Sequence, residues 1–357
     1  MQEASVEKAK FTKYQIFIIV VLAVLQFSVV LDFMILSPLG YILMPELKID
    51  TAQFGWVVSA YAFSAFASGL LAAGFADKFD RKKLLLFFYA GFIGGTLLCG
   101  IADTYSFLLF ARVVTGLFGG VIASIVMSIV TDMFQLQVRG RVMGLIQMAF
   151  AASQVLGIPA GLFLAGRWNW HFPFIMIVVI SALLFAVLAF YLKPIDEHLK
   201  IKTDKNAFMH LLHVVSRTRY LKAFAATTLL ATGGYMLMPF GSDYAVHNLG
   251  LDEKNELPLL YLYTGVATIF VMPLAGFLSD KVGKYKVFFV GSVLSIGMLL
   301  IYCNLDVTPF VWIVVLNIVL FIGIMSRIAP AQALMSAIPE PQDRGAFMSV
   351  NSSIQQL

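Results

Sequence analysis

Apolar residues run along this chain in long blocks, not in alternation. The blocks fall at about 15–45, 51–76, 83–102, 104–133, 141–165, 171–192, 219–249, 257–279, 286–303 and 308–338. A helix needs roughly 20 mostly apolar residues to cross a bilayer core, so each block predicts a membrane span. An eleventh block opens near residue 345. Polar residues gather in short connections, and the one long polar stretch, 193–222, separates six spans from the rest. The prediction is an all-α polytopic membrane protein with two helical bundles. The first covers 1–192, a central loop covers 193–218, and the second bundle covers 219–357.

Composition agrees. The chain is 60% hydrophobic and 13% charged, against about 45–50% and about 25% in soluble domains. Residues 1–14 are polar and carry no cleavage pattern, so the first span reads as retained. Charge sets the orientation. Twenty of the 25 Lys and Arg lie on the side of the N-terminus if connections alternate, and Lys48, Arg167 and Lys254 lie on the other. That bias predicts a cytoplasmic N-terminus and central loop. The net charge of +5 then reflects basic loops against an anionic leaflet, with no need of nucleic acid. Cys99 and Cys303 sit in separate apolar blocks and form no disulfide or metal pattern.

The two halves echo each other at an offset near 203 residues. "AGFADKFDRKK" (73–83) matches "GFLSDKVGKYK" (276–286), placing Asp77 over Asp280. "SPLG" (37–40) matches "MPFG" (238–241), and "RGRVMG" (139–144) matches "RGAFMS" (344–349). Parallel repeats of six helices build one large class of secondary transporters. After Arg139 the first half runs 53 residues to Leu192, and after Arg344 the second runs 13 to Leu357. The expectation is a C-terminally truncated twelve-helix protein with about ten and a half helices present.

Four stretches carry a resemblance to the major facilitator superfamily, especially its drug:proton antiporter and sugar-efflux branches. "AGFADKFDRKK" resembles the family loop Gly-x-Leu-x-Asp-Arg-x-Gly-Arg-Lys. It keeps Asp77, Arg81 and Lys82, while Ala73, Lys78 and Asp80 depart from it. The resemblance implies a conformational latch of Asp77, Arg81 and Lys82, with Asp280 and Lys284 as its second copy. "LLFARVVTGLFGG" resembles the fourth helix, with an intramembrane Arg112 and a small-residue stripe of Thr115, Gly116, Gly119 and Ala123. Small residues let helices approach closely in lipid. "QMAFAASQVLGIPAGLFLAG" resembles the antiporter motif of the fifth helix. Gly157, Pro159 and Gly161 are present, while the adjacent Gly-Pro and the paired final Gly of the full pattern are absent. "LDFMILSPLGYILMP" resembles the first-helix signature, with Asp32 and Pro45 in its Asp and Pro positions.

Asp32 lies mid-block, where an ionised carboxylate costs about 2.5–3.5 kcal/mol on insertion scales. It must face water, pair, or take up a proton. In this superfamily the first and fourth helices line the cavity, so Arg112 is its expected partner. The pair is read either as the proton-coupling site or as a structural acid held by Arg112. Its repeat position is Gly233, so the carboxylate occurs once where the latches occur twice. Candidate cavity residues are Tyr61, Gln147, Gln154, Tyr235, Asp243 and Arg327, each weighed against a packing or interface role. The chain also holds 32 Phe and 16 Met, which suits an apolar or amphipathic cargo.

No phosphate loop, metal cluster or nucleophile–base arrangement is legible, so no cofactor, no metal and no enzymatic activity are expected. The resemblance implies a monomeric secondary transporter of the bacterial cytoplasmic (inner) membrane. It would exchange protons for a small organic molecule by alternating access. Proton-coupled uptake and a non-transporting sensor are the alternatives.

Overall fold

The computed structural model describes residues 11–72, 79–135, 142–196 apart from 143, 144, 147 and 151, then 199, 214–235, 238–336, and parts of 338–355. The described chain is helical throughout its spans. The helices are α1 (Lys13–Ile35), α2 (Gly40–Leu47), α3 (Thr51–Ala72), α4 (Arg81–Gly100), α5 (Tyr105–Met133), α6 (Ile158–Arg167), α7 (Phe172–Tyr191), α8 (Thr218–Tyr235), α9 (Gly241–His247), α10 (Glu256–Val282), α11 (Lys284–Tyr302) and α12 (Phe310–Ser336). A π turn, Ser153–Gly157, leads into α6, and a 3-10 turn, Met238–Phe240, leads into α9.

Among the described residues nine helices are long and apolar enough to cross a membrane. Their outward surfaces carry bare apolar side chains such as Leu183, Phe190 and Phe270. In water these would be a liability, while in lipid they match the solvent. The start signals are local. Thr12 accepts from the Gln15 N–H in a capping box, and Thr104 accepts from the Phe107 N–H. The stops are local too. Lys48 ends α2 at φ 52 and Gly283 ends α10 at φ 111, a region open to glycine but strained for a side chain.

Two predicted spans are broken rather than continuous. The first gives way at residues 36–39, and the seventh divides into α8, the 3-10 turn and α9. A proline sits at each break, Pro38 and Pro239. Proline has no N–H to donate and its ring crowds the carbonyl four residues back. The duplicated Pro thus marks a duplicated break. Beyond the breaks the short helical pieces meet. Ser242 Oγ donates to the Ser37 carbonyl at 2.9 Å, and Tyr41 Oη donates to the Glu253 carbonyl at 3.4 Å. Phe54 and Phe240 pack edge to face at 6.2 Å between centroids. These contacts tie helices of the two halves at the end farther from residue 11.

Glycine sets the packing within each half. A Cβ on Gly120 would fall 2.5 Å from the Ala65 Cα of α3, and one on Gly95 would fall 2.7 Å from the Thr115 nitrogen of α5. In the later half Gly291 and Gly323 play the same part between α11 and α12, against Ser326 and Ser295. Without a hydrophobic drive in lipid, such close approach is what holds helices together.

Candidate functional site

Asp32 and Arg112 meet in the centre of the first bundle. Arg112 Nη1 donates to Asp32 Oδ2 at 2.8 Å, and both side chains are 0% exposed. The same nitrogen lies 3.5 Å from the Asp32 carbonyl. Thr96 of α4 donates its hydroxyl to Asp32 Oδ1 at 3.0 Å. The Arg112 guanidinium lies 4.7 Å from the centre of the Tyr61 ring on α3, and Tyr61 packs on Phe33 at 5.4 Å. Four helices, α1, α3, α4 and α5, therefore meet at this ion pair. Gly119 makes the room, because a Cβ there would stand 2.8 Å from the Tyr61 hydroxyl.

The guanidinium is only partly used. Arg112 Nε and Nη2 are buried with no hydrogen-bond partner among the described residues. A buried pair is weak evidence for stability, because desolvation offsets most of the attraction. Removing one partner, however, strands the other charge in a dry interior. A carboxylate that can accept a proton here would change the charge of the site by one and release Arg112 to bond elsewhere. Among the described residues the site thus holds an acid, one counter-charge in contact with it and two donors without a partner.

The fifth-span glycines lie against the first span. A Cβ on Gly157 would come 2.5 Å from Leu31, and one on Gly161 would come 2.5 Å from Ile35. Leu31 adjoins Asp32, so the close approach of the fifth span sets the position of the acid. Pro159 follows the π turn, and Gln154 lies within that turn.

The other expected site residues are dispersed. Arg81 Nε lies 3.2 Å from Asp132 Oδ2 and Lys82 Nζ donates to the Ala189 carbonyl at 2.8 Å, so both bind within the first bundle. Asp80, a departure from the family loop, caps α4 by accepting from the Lys82 N–H at 2.7 Å and also accepts from the Ile195 N–H at 3.2 Å. Lys284 opens α11. Asp243 lies 3.0 Å from His247 Nδ1 at the far end, in a shallow cleft of about 430 Å³ with Met44, Pro45, Lys48 and Ile49. Arg327 on α12 is half-buried, and its Nε has no partner among the described residues. Asp77 and Gln147 lie outside the described residues, as do the side chains of Tyr235 and Asp280.

Thr96 and Asp132 escaped the sequence reading. Thr96 is one hydroxyl in an apolar run and announces nothing by charge. Asp132 stands at a helix end beside a connection that was read by its basic residues alone.

These features describe a polytopic helical membrane protein whose buried ion pair sits among lipid-crossing helices. The model of the Major Facilitator Superfamily matches residues 22–357, and the chain belongs to that family of transporters. It is 26% identical over 324 residues to the uncharacterized MFS-type transporter YceJ of Bacillus subtilis (strain 168), covering 90% of this chain and 81% of that one. It is 33% identical over 153 residues to Multidrug resistance protein 3 of the same organism, a match to 43% of this chain and 30% of that protein. Its fold matches the inward-facing, unoccupied crystal structure of a bacterial homolog to the human lysosomal transporter Spinster. The TM-score is 0.77 at 17% identity, over 98% of this chain and 80% of that one.

Proposed function

We propose that the protein exports a small organic molecule in exchange for protons, by alternating access, with Asp32 as the proton carrier and Arg112 as its counter-charge. The observation that carries the reading is the solvent-free Asp32–Arg112 contact at 2.8 Å on one half of the molecule. A structural charge pair has no need of unpartnered donors, whereas an acid that gains and loses a proton needs a neighbour that changes partners. The Gly157 and Gly161 contacts on α1 support it, because movement of the fifth span would be felt at Asp32. The names of relatives such as Multidrug resistance protein 3 favour export and a broad organic cargo.

The proton motive force supplies the energy in this reading, since moving one charge through 100 mV is worth about 2.3 kcal/mol. The N-terminus lies in the cytoplasm, as the basic loops direct. The contacts at Ser37–Ser242 and Tyr41–Glu253 close the outer end, and release of cargo requires them to part.

The test is flux in reconstituted vesicles under an imposed pH gradient, with ethidium as probe. Export predicts that ethidium addition drives protons the opposite way. Proton and ethidium movement in the same direction would replace antiport by symport, and no flux of either would remove the reading.

A further inference from the structure

The fifth span is not a plain helix. In its turn Ser153–Gly157 the Ile158 N–H donates to the Ser153 carbonyl, five residues back instead of four. Pro159 explains the widening. It offers no donor to the carbonyl of Val155, and its ring crowds that group, so a wider turn just before it relieves the clash. Single π turns of this kind concentrate at functional sites.

Elements of both halves press on this turn. Ser153 Oγ donates to the Ala149 carbonyl at 2.8 Å and lies 3.2 Å from the Phe27 carbonyl of α1. From the other side a Cβ on Gly265 of α10 would stand 3.2 Å from both the carbonyl carbon of Gln154 and the nitrogen of Val155. Gln154 lies at that junction. It is 8% exposed, and its Oε1 is buried without a hydrogen-bond partner among the described residues. A buried amide with an unused acceptor costs free energy, and a leucine of similar size would fill the same space without that cost. A residue held there for packing alone has no reason to be a glutamine.

We propose that Gln154 contacts the transported molecule and selects for ligands that carry an N–H or O–H donor, the π turn holding its amide at the junction of the two halves. The inference rests on the export reading for its choice of probe. It adds a specificity-determining residue in the fifth span, separate from the Asp32–Arg112 pair.

The test is binding, read by fluorescence anisotropy on the purified full chain in detergent. The probes are ethidium, which carries two aromatic amines, and its desamino analogue, which carries none. The parent is expected to bind ethidium about tenfold more tightly than the analogue, the effect of one well-made hydrogen bond. Gln154→Leu is expected to weaken ethidium by about tenfold and the analogue by less than about threefold. Its apparent melting temperature is expected at or above that of the parent. Gln154→Asn keeps an amide and is expected to recover part of the preference. Pro159→Ala lets the turn rewind and is expected to lower the preference with Gln154 intact.

Four results would overturn the inference: no binding of either probe to the parent, equal losses for both probes in Gln154→Leu, a preference that survives in that variant, or its failure to fold. The last would make Gln154 a structural residue. A parent that binds ethidium selectively but moves none of it under a pH gradient would contradict the export reading and leave the role of Gln154 in binding standing.

Discussion

Asp32 and Arg112, 80 residues apart in the chain, share a 2.8 Å hydrogen-bonded ion pair from which solvent is excluded. Breaking such a pair from one side leaves an uncompensated charge, at a typical cost of about 3–5 kcal/mol. Arg112→Ala should therefore lower the melting temperature of the purified protein sharply. The double variant Asp32→Asn with Arg112→Leu should recover most of that loss, since neither charge remains. Equal melting temperatures for Arg112→Ala and the double variant would mean that the charges do not depend on each other.

Gly157 and Gly161 bring the fifth span onto Leu31 and Ile35. Gly157→Val forces a side chain into occupied space, and overpacking of this kind costs about 1–3 kcal/mol. It should also displace Asp32 and reduce proton-coupled flux. Gly94→Ala is the matched control, because nothing stands within 4 Å of a Cβ there. Thermal melts and flux assays on the two variants should separate cleanly.

The contact between Ser242 and the Ser37 carbonyl joins the two halves. Cysteines at both positions, in a Cys303→Ser background, should cross-link under mild oxidation or with a short bifunctional reagent. Cross-linking should stop flux and reductant should restore it. Undiminished flux in the cross-linked protein would show that this end need not open.

Asp80 accepts from the Lys82 and Ile195 N–H groups. Loss of a helix N-cap typically costs about 0.5–2 kcal/mol. Asp80→Ala should fall within that range in a thermal melt, while Lys83→Ala, an exposed change, should stay within about 0.5 kcal/mol.

Asp252 lies in the connection before α10. The Asn255 side-chain amide and the Lys254 N–H donate to its carboxylate and hold it below the usual carboxylate range. A depressed carboxylate contributes order that is present above its unfolded pKa and is lost as pH falls through its folded pKa. Protection of the Lys254 amide, its exchange relative to the intrinsic rate at each pH, should thus hold from neutral to mildly acid pH and fall only in stronger acid. In Asp252→Asn that acid-dependent step should vanish.

The spans were legible because lipid demands long apolar blocks, and no other pattern in the chain competes with that demand. The Asp32–Arg112 pairing was legible for a related reason, since two charges in apolar helices have few ways to survive. The helix breaks were less so. Pro38 and Pro239 were visible as a repeat, but hydropathy runs straight through them and hides the interruption. Thr96 was invisible because a neutral hydroxyl costs little anywhere in a helix. Arg81 was read as part of a latch, yet its partner Asp132 comes from a helix end 51 residues away, a distance that charge patterning along the chain does not reveal.

The most direct measurement compares parent and Asp32→Asn protein in vesicles, reading pH-gradient-driven ethidium flux beside ethidium exchange without a gradient. If Asp32 carries the proton, the variant loses the driven flux and keeps the exchange. Driven flux at the parent level in Asp32→Asn would contradict it.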